Sequence, residues 1–173
     1  MHYGNIKSTD IANGQGVRAT LFVSGCTHHC KNCFNPETWN FNYGSEFDTE
    51  AQNKMLDYLK PSYIEGLTIL GGEPMEPSNQ KGLLPFVKQV KALYPNKTIW
   101  CYTGFVYDRD LVPGGRVYSD TTHELLSLID VLVDGPFVEA LKNLSLKFRG
   151  SSNQRLIDLK KTLENNQVVI LNQ

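Results

Sequence analysis

The sequence predicts an α/β fold built around a parallel sheet. Short segments rich in apolar, β-branched and aromatic residues alternate along the 173-residue chain with longer segments that carry apolar residues at helical spacing. A glycine, or a threonine followed by a glycine, comes after several of the short segments, which is typical of strand ends. Strands that alternate with helices form parallel sheets through right-handed crossovers.

The first half of the chain predicts a strand, a helix and a second strand. Residues 18–24 are β-branched and aromatic and stop at Gly25, which indicates a strand. Residues 49–60 carry apolar side chains near helical spacing, and Asp48 or Thr49 can cap that helix. Residues 66–70 form a short apolar strand that ends at a glycine pair.

The next segments continue the alternation. Apolar spacing predicts a helix that begins near residues 81–84 and runs to Leu93, because Pro85 is tolerated only in a first helical turn. A strand over residues 98–102, a helix over 120–129 and a strand over 131–134 follow.

The carboxyl-terminal segment has a mixed pattern. Residues 156–164 have helical spacing, and residues 168–171 are predicted as a last strand. No repeat, low-complexity tract or linker divides the chain, so we expect one domain over residues 1–173.

Composition excludes several classes of function. The 17 basic and 18 acidic residues give a net charge of −1, which argues against a broad nucleic-acid interface. No apolar run is long enough to span a bilayer, and residues 1–10 lack the layout of a signal peptide, so neither a membrane nor secretion is expected. The expected compartment is the cytoplasm, where cysteines stay reduced.

The unusual motifs all follow predicted strands. A cysteine-rich segment follows the first strand, the Gly-Gly-Glu-Pro segment of residues 71–74 the second, Thr103-Gly104 the third and Asp134-Gly135 the fourth. Because ligand sites of parallel sheets gather at the carboxyl ends of the strands, we expect one site on a shared edge.

Cys26, Cys30 and Cys33 place three thiols within eight residues. A cubane iron–sulfur cluster takes one thiolate on each iron, so three cysteines leave one iron open for chemistry. A structural Cys3His zinc site, with His28 or His29 as fourth ligand, is the alternative. An electron-carrying cluster is another, although such a protein usually supplies a fourth nearby cysteine. Cys101 is predicted to be a packed core thiol.

The chain resembles a known family. Its CxxxCxxC loop and GGEP segment are similar to those of the radical S-adenosylmethionine (SAM) superfamily. Further motifs resemble the anaerobic ribonucleoside-triphosphate reductase activating proteins. They lie at residues 13–18, 20–26, 38–39, 100–104, 131–135 and 148–154. The resemblance implies the radical SAM fold, a partial TIM-type β/α barrel.

The resemblance also implies the cofactors and their residues. Cys26, Cys30 and Cys33 would bind one [4Fe–4S] cluster, whose open iron would bind the amino and carboxylate groups of SAM. The edge formed by Gly71, Gly72, Glu73 and Pro74 would bind the amino group of the methionine moiety. Asn32, Cys33 and Phe34 would contact the cofactor, although Asn32 replaces the aromatic residue that the superfamily often has there. The candidate site therefore has nine residues: Cys26, Cys30, Asn32, Cys33, Phe34, Gly71, Gly72, Glu73 and Pro74.

The implied activity is that of a radical SAM oxidoreductase. An outside low-potential donor reduces the cluster, SAM is cleaved to a 5′-deoxyadenosyl radical, and this radical generates a glycyl radical on the large subunit of the anaerobic reductase. Activation of another glycyl-radical enzyme such as pyruvate formate-lyase, a small-molecule radical reaction, and a non-catalytic zinc or electron-transfer module are the alternatives.

Five further polar residues have open roles. Arg149, Ser151 and Asn153 are suited either to a carboxylate or ribose contact or to a capped turn. Thr103 and Asp134 lie at predicted strand ends and are suited equally to ligand binding and to turn formation.

Overall fold

Four parallel strands form the centre of the sheet, as the alternating pattern predicts. The computed structural model describes residues 1–171. The sheet has seven strands in the order β3-β1-β2-β4-β5-β6-β7, and its parallel neighbours are the pairs β2-β4, β4-β5 and β5-β6. The strands are β1 (His2–Asp10), β2 (Val17–Val23), β3 (Ser45–Glu46), β4 (Ile64–Gly71), β5 (Thr98–Tyr102), β6 (Val131–Asp134) and β7 (Arg155–Asp158).

Helices connect the parallel strands and cover one face of the sheet. They are α1 (Thr49–Leu59), α2 (Pro77–Leu93), α3 (Tyr107–Asp110), α4 (Thr122–Leu128) and α5 (Leu159–Asn165). Short 3-10 turns occupy Pro36–Trp39 and Glu139–Leu141. No helix among the described residues is both long and apolar enough to cross a membrane.

The two faces of the sheet bury different clusters. Successive side chains of a strand point to opposite faces, so Ile99 and Cys101 of β5 join the large core under the helices, whereas Trp100 packs in a smaller cluster with Val131 and Val133. Cys101 is only 1% exposed, which confirms the prediction of a core thiol.

The outer strands differ from the predicted parallel arrangement. β1 was not predicted, because its polar sequence shows no two-residue apolar alternation; it pairs antiparallel with β2. β7 pairs antiparallel with β6. The predicted helix over residues 156–164 is therefore wrong at its start, since three of those residues lie in β7 and α5 begins at Leu159. Residues 168–171 form only an isolated bridge, between Ile170 and Ile157.

Helix α2 begins earlier than predicted. Pro77 occupies its first turn, and Pro85 lies in its interior rather than at its start. An interior proline removes one hydrogen bond and costs about 3 kcal/mol. Burial of an apolar face that includes Phe86, Val87 and Val90 offsets that cost, so packing overrides the local preference.

Replacing Asp48 with alanine is expected to lower the free energy of unfolding by about 1 kcal/mol. The Asp48 carboxylate accepts a hydrogen bond from the Ala51 backbone N–H at 2.9 Å and so caps helix α1. Urea unfolding of the metal-free chain measures the change. Asp48→Asn keeps an acceptor and is the matched control, expected within about 0.5 kcal/mol of the unmodified chain. An alanine variant of unchanged stability would contradict the capping role.

Candidate active site

A cleft of about 430 Å³ lies at the carboxyl ends of the parallel strands. Residues that follow β2, β4, β5 and β6 all line it, which confirms the predicted shared edge. The lining includes Cys26, His28, Cys30, Asn32, Cys33, Phe34, Trp39, Gly71, Gly72, Glu73, Tyr102, Thr103, Gly104, Gly135, Phe137, Arg149 and Gln154. Eight of the nine candidate site residues are therefore brought together; Pro74 is not in the lining.

The cysteine loop leaves β2 through a sharp turn. Gly25 has a φ of +98°, and a Cβ there would collide with the ring of Phe41, so glycine is required at this position. Cys26 is buried, whereas Cys30 and Cys33 are partly exposed, and all three thiols are free. The Cys33 backbone N–H donates to the Cys30 carbonyl at 3.2 Å and closes a turn between the last two thiols.

Burial disfavours the charged forms of two of these thiols. It raises the pKa of Cys26 to about 11 and also raises the pKa of Cys30. Thiolates, not thiols, ligate metals, so metal binding at these residues must release protons.

The Glu73 carboxylate is buried and fully hydrogen-bonded. Its Oε1 accepts from the Met75 N–H at 2.8 Å and from the Thr103 hydroxyl at 2.7 Å. Its Oε2 accepts from the Gly104 N–H at 2.7 Å and lies 2.9 Å from His28 Nε2. The side chain thus joins the cysteine loop to the ends of β4 and β5, and any contact of Glu73 with a ligand would be made by its backbone.

A second carboxylate holds the start of the cysteine loop. Glu76 Oε1 accepts from the Thr27 N–H at 2.8 Å and from the Thr27 hydroxyl at 2.5 Å. The Asn79 amide donates to the carbonyls of Ser24 and Glu73, each at 2.9 Å. The loop and the segment after β4 are therefore fastened to each other at several points.

Both histidines of the loop are engaged with protein groups. His28 is bound to Glu73, and the ring of His29 stacks on Trp39 with centroids 4.6 Å apart. Among residues 1–171, no three His, Cys, Asp or Glu side chains are close enough to hold a single metal ion. A cubane cluster needs no such group, because each thiolate binds a different iron. The geometry therefore gives no support to a Cys3His zinc site.

The lining fits a cluster together with a polar organic ligand. Three thiols supply the soft donors that iron–sulfur clusters take. The indole nitrogen of Trp39 and the phenol oxygen of Tyr102 are buried and have no hydrogen-bond partner among residues 1–171. Buried polar atoms are normally paired, so these two lining residues carry polar atoms that the described part of the chain leaves unsatisfied.

The residues with open roles divide into two groups. Arg149 lines the cleft and donates to the Gln154 carbonyl at 2.7 Å, with no carboxylate partner in the part of the chain described. The other four, of which Thr103 also lines the cleft, are used in internal hydrogen bonds: Thr103 with Glu73, Asp134 with Arg155, Ser151 with Val138 and Asn153 with Pro136. Their positions favour turn and packing roles.

Several lining residues were missed at the sequence level. Lys7 belongs to β1, which carried no strand signal, and Phe137 lies in the irregular segment after β6. Tyr102 was predictable, because it is the last residue of a predicted strand whose carboxyl end faces the site. Asn32 and Phe34 do line the cleft, and their contact with a cofactor stays a prediction.

Comparisons with known proteins show which family this chain is similar to. The chain matches the family model of the 4Fe-4S single cluster domain over residues 12–157, a region that contains the cysteine loop and the four parallel strands. It is 42% identical over 156 residues to the anaerobic ribonucleoside-triphosphate reductase-activating protein of Haemophilus influenzae, covering 89% of this chain and 96% of the relative.

Two further relatives carry the same name. The protein of Pasteurella multocida is 43% identical over 157 residues, covering 89% of this chain and 95% of its own length. That of Enterobacteria phage T4 is 38% identical over 156 residues, with 90% and 93% covered. The likeness thus extends over nearly the whole length of each relative.

Proposed function

The chain belongs to the family of anaerobic ribonucleoside-triphosphate reductase-activating proteins, and from this premise we propose that it activates such a reductase as a radical SAM enzyme. The observation that carries the proposal is the cleft in which three free thiols share one lining with the glycine edge of β4. A family model for a 4Fe-4S domain over most of the chain supports the same chemistry.

Cys26, Cys30 and Cys33 would hold the [4Fe–4S] cluster. Bound there and reduced by a low-potential donor, the cluster would supply the one electron needed to cleave the S–C5′ bond of SAM into methionine and a 5′-deoxyadenosyl radical, and that radical would remove a hydrogen atom from a glycine of the reductase. No general base is needed for this chemistry.

The protein residues bind and orient SAM. Gly71 and Gly72 present backbone without side chains at the end of β4, and Gly71 has a φ of +113°, a conformation that glycine adopts without strain. We infer that this edge binds the amino group of the methionine moiety. Asn32 and Phe34 flank Cys33 on the cysteine loop and line the cleft, and they would contact the rest of the cofactor.

The proposed substrate is a protein, the large subunit of the reductase. We propose that residues 1–173 form a single radical SAM domain whose sheet is a partial TIM-type barrel. Phe34 is 90% exposed beside the cleft, and an exposed aromatic residue next to a site is suited to contact a protein partner. The large subunit of the anaerobic reductase would place its glycine there.

Anaerobic reconstitution tests the function. The chain is expected to bind about four irons and about four sulfides and to form 5′-deoxyadenosine when dithionite and SAM are added. With the anaerobic reductase present, electron paramagnetic resonance (EPR) is expected to detect a glycyl radical. Pyruvate formate-lyase is the matched control substrate. Bound zinc without cleavage of SAM, or a radical formed on pyruvate formate-lyase alone, would contradict the proposal.

A further inference from the structure

Four donors surround the buried Glu73 carboxylate, and one of them differs from the rest. Three of the donors belong to the segments that follow β4 and β5, namely Met75, Thr103 and Gly104. His28 comes from the cysteine loop, midway between Cys26 and Cys30. His28 is therefore the one donor to this carboxylate that connects it with the three thiols.

The imidazole of His28 is enclosed rather than free to rotate. Its side chain is 13% exposed, and its ring centroid lies 4.3 Å from that of Phe105. A Cβ added at Gly104 would lie only 2.7 Å from His28 Nε2, so the ring is packed directly on the backbone that follows β5. Because Glu73 Oε2 accepts, we assign Nε2 as the protonated nitrogen.

We propose that His28 and Glu73 form a latch that sets the position of the cysteine loop relative to the glycine edge of Gly71 and Gly72. This inference rests on the proposed function, because it makes His28 a positioning residue for SAM cleavage. The cluster and the methionine moiety would be held by two different segments, and the latch fixes one segment against the other. Misplacement by about 1 Å can cost about 100-fold in rate, so such a constraint matters for catalysis.

A pair of substitutions separates the hydrogen bond from packing. His28→Leu keeps an apolar side chain against Phe105 but removes the donor, whereas His28→Gln places an amide N–H near the position of Nε2. We expect His28→Leu to bind SAM at least about tenfold more weakly after reconstitution and to lose the change that SAM causes in the EPR spectrum of the reduced cluster. His28→Gln is expected to restore both within about threefold.

His123→Leu is the matched control, because His123 is exposed on helix α4 and has no role in the site. It is expected to behave as the unmodified chain. Equal SAM binding by His28→Leu and the unmodified chain would overturn the latch. So would a loss of iron that His28→Gln fails to restore, since that result would make His28 a ligand.

Hydrogen exchange in the metal-free chain keeps the test independent of the proposed activity. The amides of residues 27–33 are expected to exchange at least about fivefold faster in His28→Leu than in His28→Gln, because the hydrogen bond limits local opening. Equal exchange in the two variants would overturn the latch whether or not the chain cleaves SAM. Failure of the unmodified chain to cleave SAM would instead reject the proposed function.

Discussion

Alanine in place of Cys30 is expected to abolish cleavage of SAM by the reconstituted protein. The three thiols of the cleft leave no spare donor on the loop, since His28 is bound to Glu73 and His29 is stacked on Trp39. Loss of one thiolate leaves a second iron of the cluster without a protein ligand. We expect no 5′-deoxyadenosine above the background of dithionite alone, together with an iron content well below that of the unmodified chain.

Cys101→Ala is the matched control for this experiment. Cys101 lies in the core under the helices, on the face of β5 opposite the smaller cluster, and it is 1% exposed. Its loss should remove packing worth about 1 kcal/mol and leave both iron content and SAM cleavage unchanged. If Cys101→Ala lost the cluster, or if Cys30→Ala kept the activity, the assignment of the three loop cysteines as the ligand set would be wrong.

The central strands were predictable because their sequences carry their own signal. β5 and β6 match the predicted bounds, and β2 and β4 differ by one or two residues at their ends. Strands buried on both faces need continuous apolar runs, and such runs are visible without any tertiary information. Because these strands are parallel, the cysteine loop and the glycine edge that follow them lie at the same end of the sheet, the carboxyl ends of the strands.

The edge strands carried no such signal. β1 has several exposed residues and gains its extended conformation from pairing with β2, a contact that local sequence does not encode. Leu156 and Ile157 at the start of β7 also fit helical spacing, because short apolar segments are ambiguous between strand and helix. Pro85 misled in the same way, since the packing of α2 outweighs its local preference.

The role of the Glu73 side chain was hidden for a related reason. The sequence places Glu73 in a segment that resembles a cofactor-binding edge, yet the carboxylate binds donors 30 and 45 residues away, at Thr103 and His28. Only the folded chain brings these groups together. The gathering of the candidate residues in one cleft was thus predictable, while the structural role of the Glu73 side chain was not.

Replacing Arg18 with methionine is expected to lower the free energy of unfolding by about 2–4 kcal/mol. Arg18 is 1% exposed, and its guanidinium donates five hydrogen bonds at 2.7 to 3.1 Å. The acceptors are the Thr68 and Thr98 hydroxyls and the carbonyls of Gln15, Leu67 and Thr98. One side chain of β2 therefore joins β4, β5 and the loop that precedes β2.

This guanidinium is buried without an ion pair. No carboxylate within residues 1–171 forms a salt bridge with it, and burial lowers the pKa of Arg18 to about 10. Methionine would fill a similar stem volume while removing the donor from two buried acceptors, the Thr68 hydroxyl and the Leu67 carbonyl, and each buried unpaired group costs about 1–3 kcal/mol. Removal of the buried charge returns part of that cost, which is why the expected loss is smaller than the sum.

Urea unfolding of the metal-free chain at neutral pH measures the effect. Arg116→Met is the matched control: Arg116 is exposed and its guanidinium lies 4.8 Å from the centroid of the Phe105 ring, so its loss should cost less than about 1 kcal/mol. Arg18→Lys should be intermediate, because an ammonium group has three donors and lacks the planar fork. An Arg18→Met protein as stable as the unmodified chain would mean that desolvation of the charge cancels all five bonds, as happens when some buried ion pairs are replaced by apolar side chains. Arg18 would then contribute no net stability to the sheet.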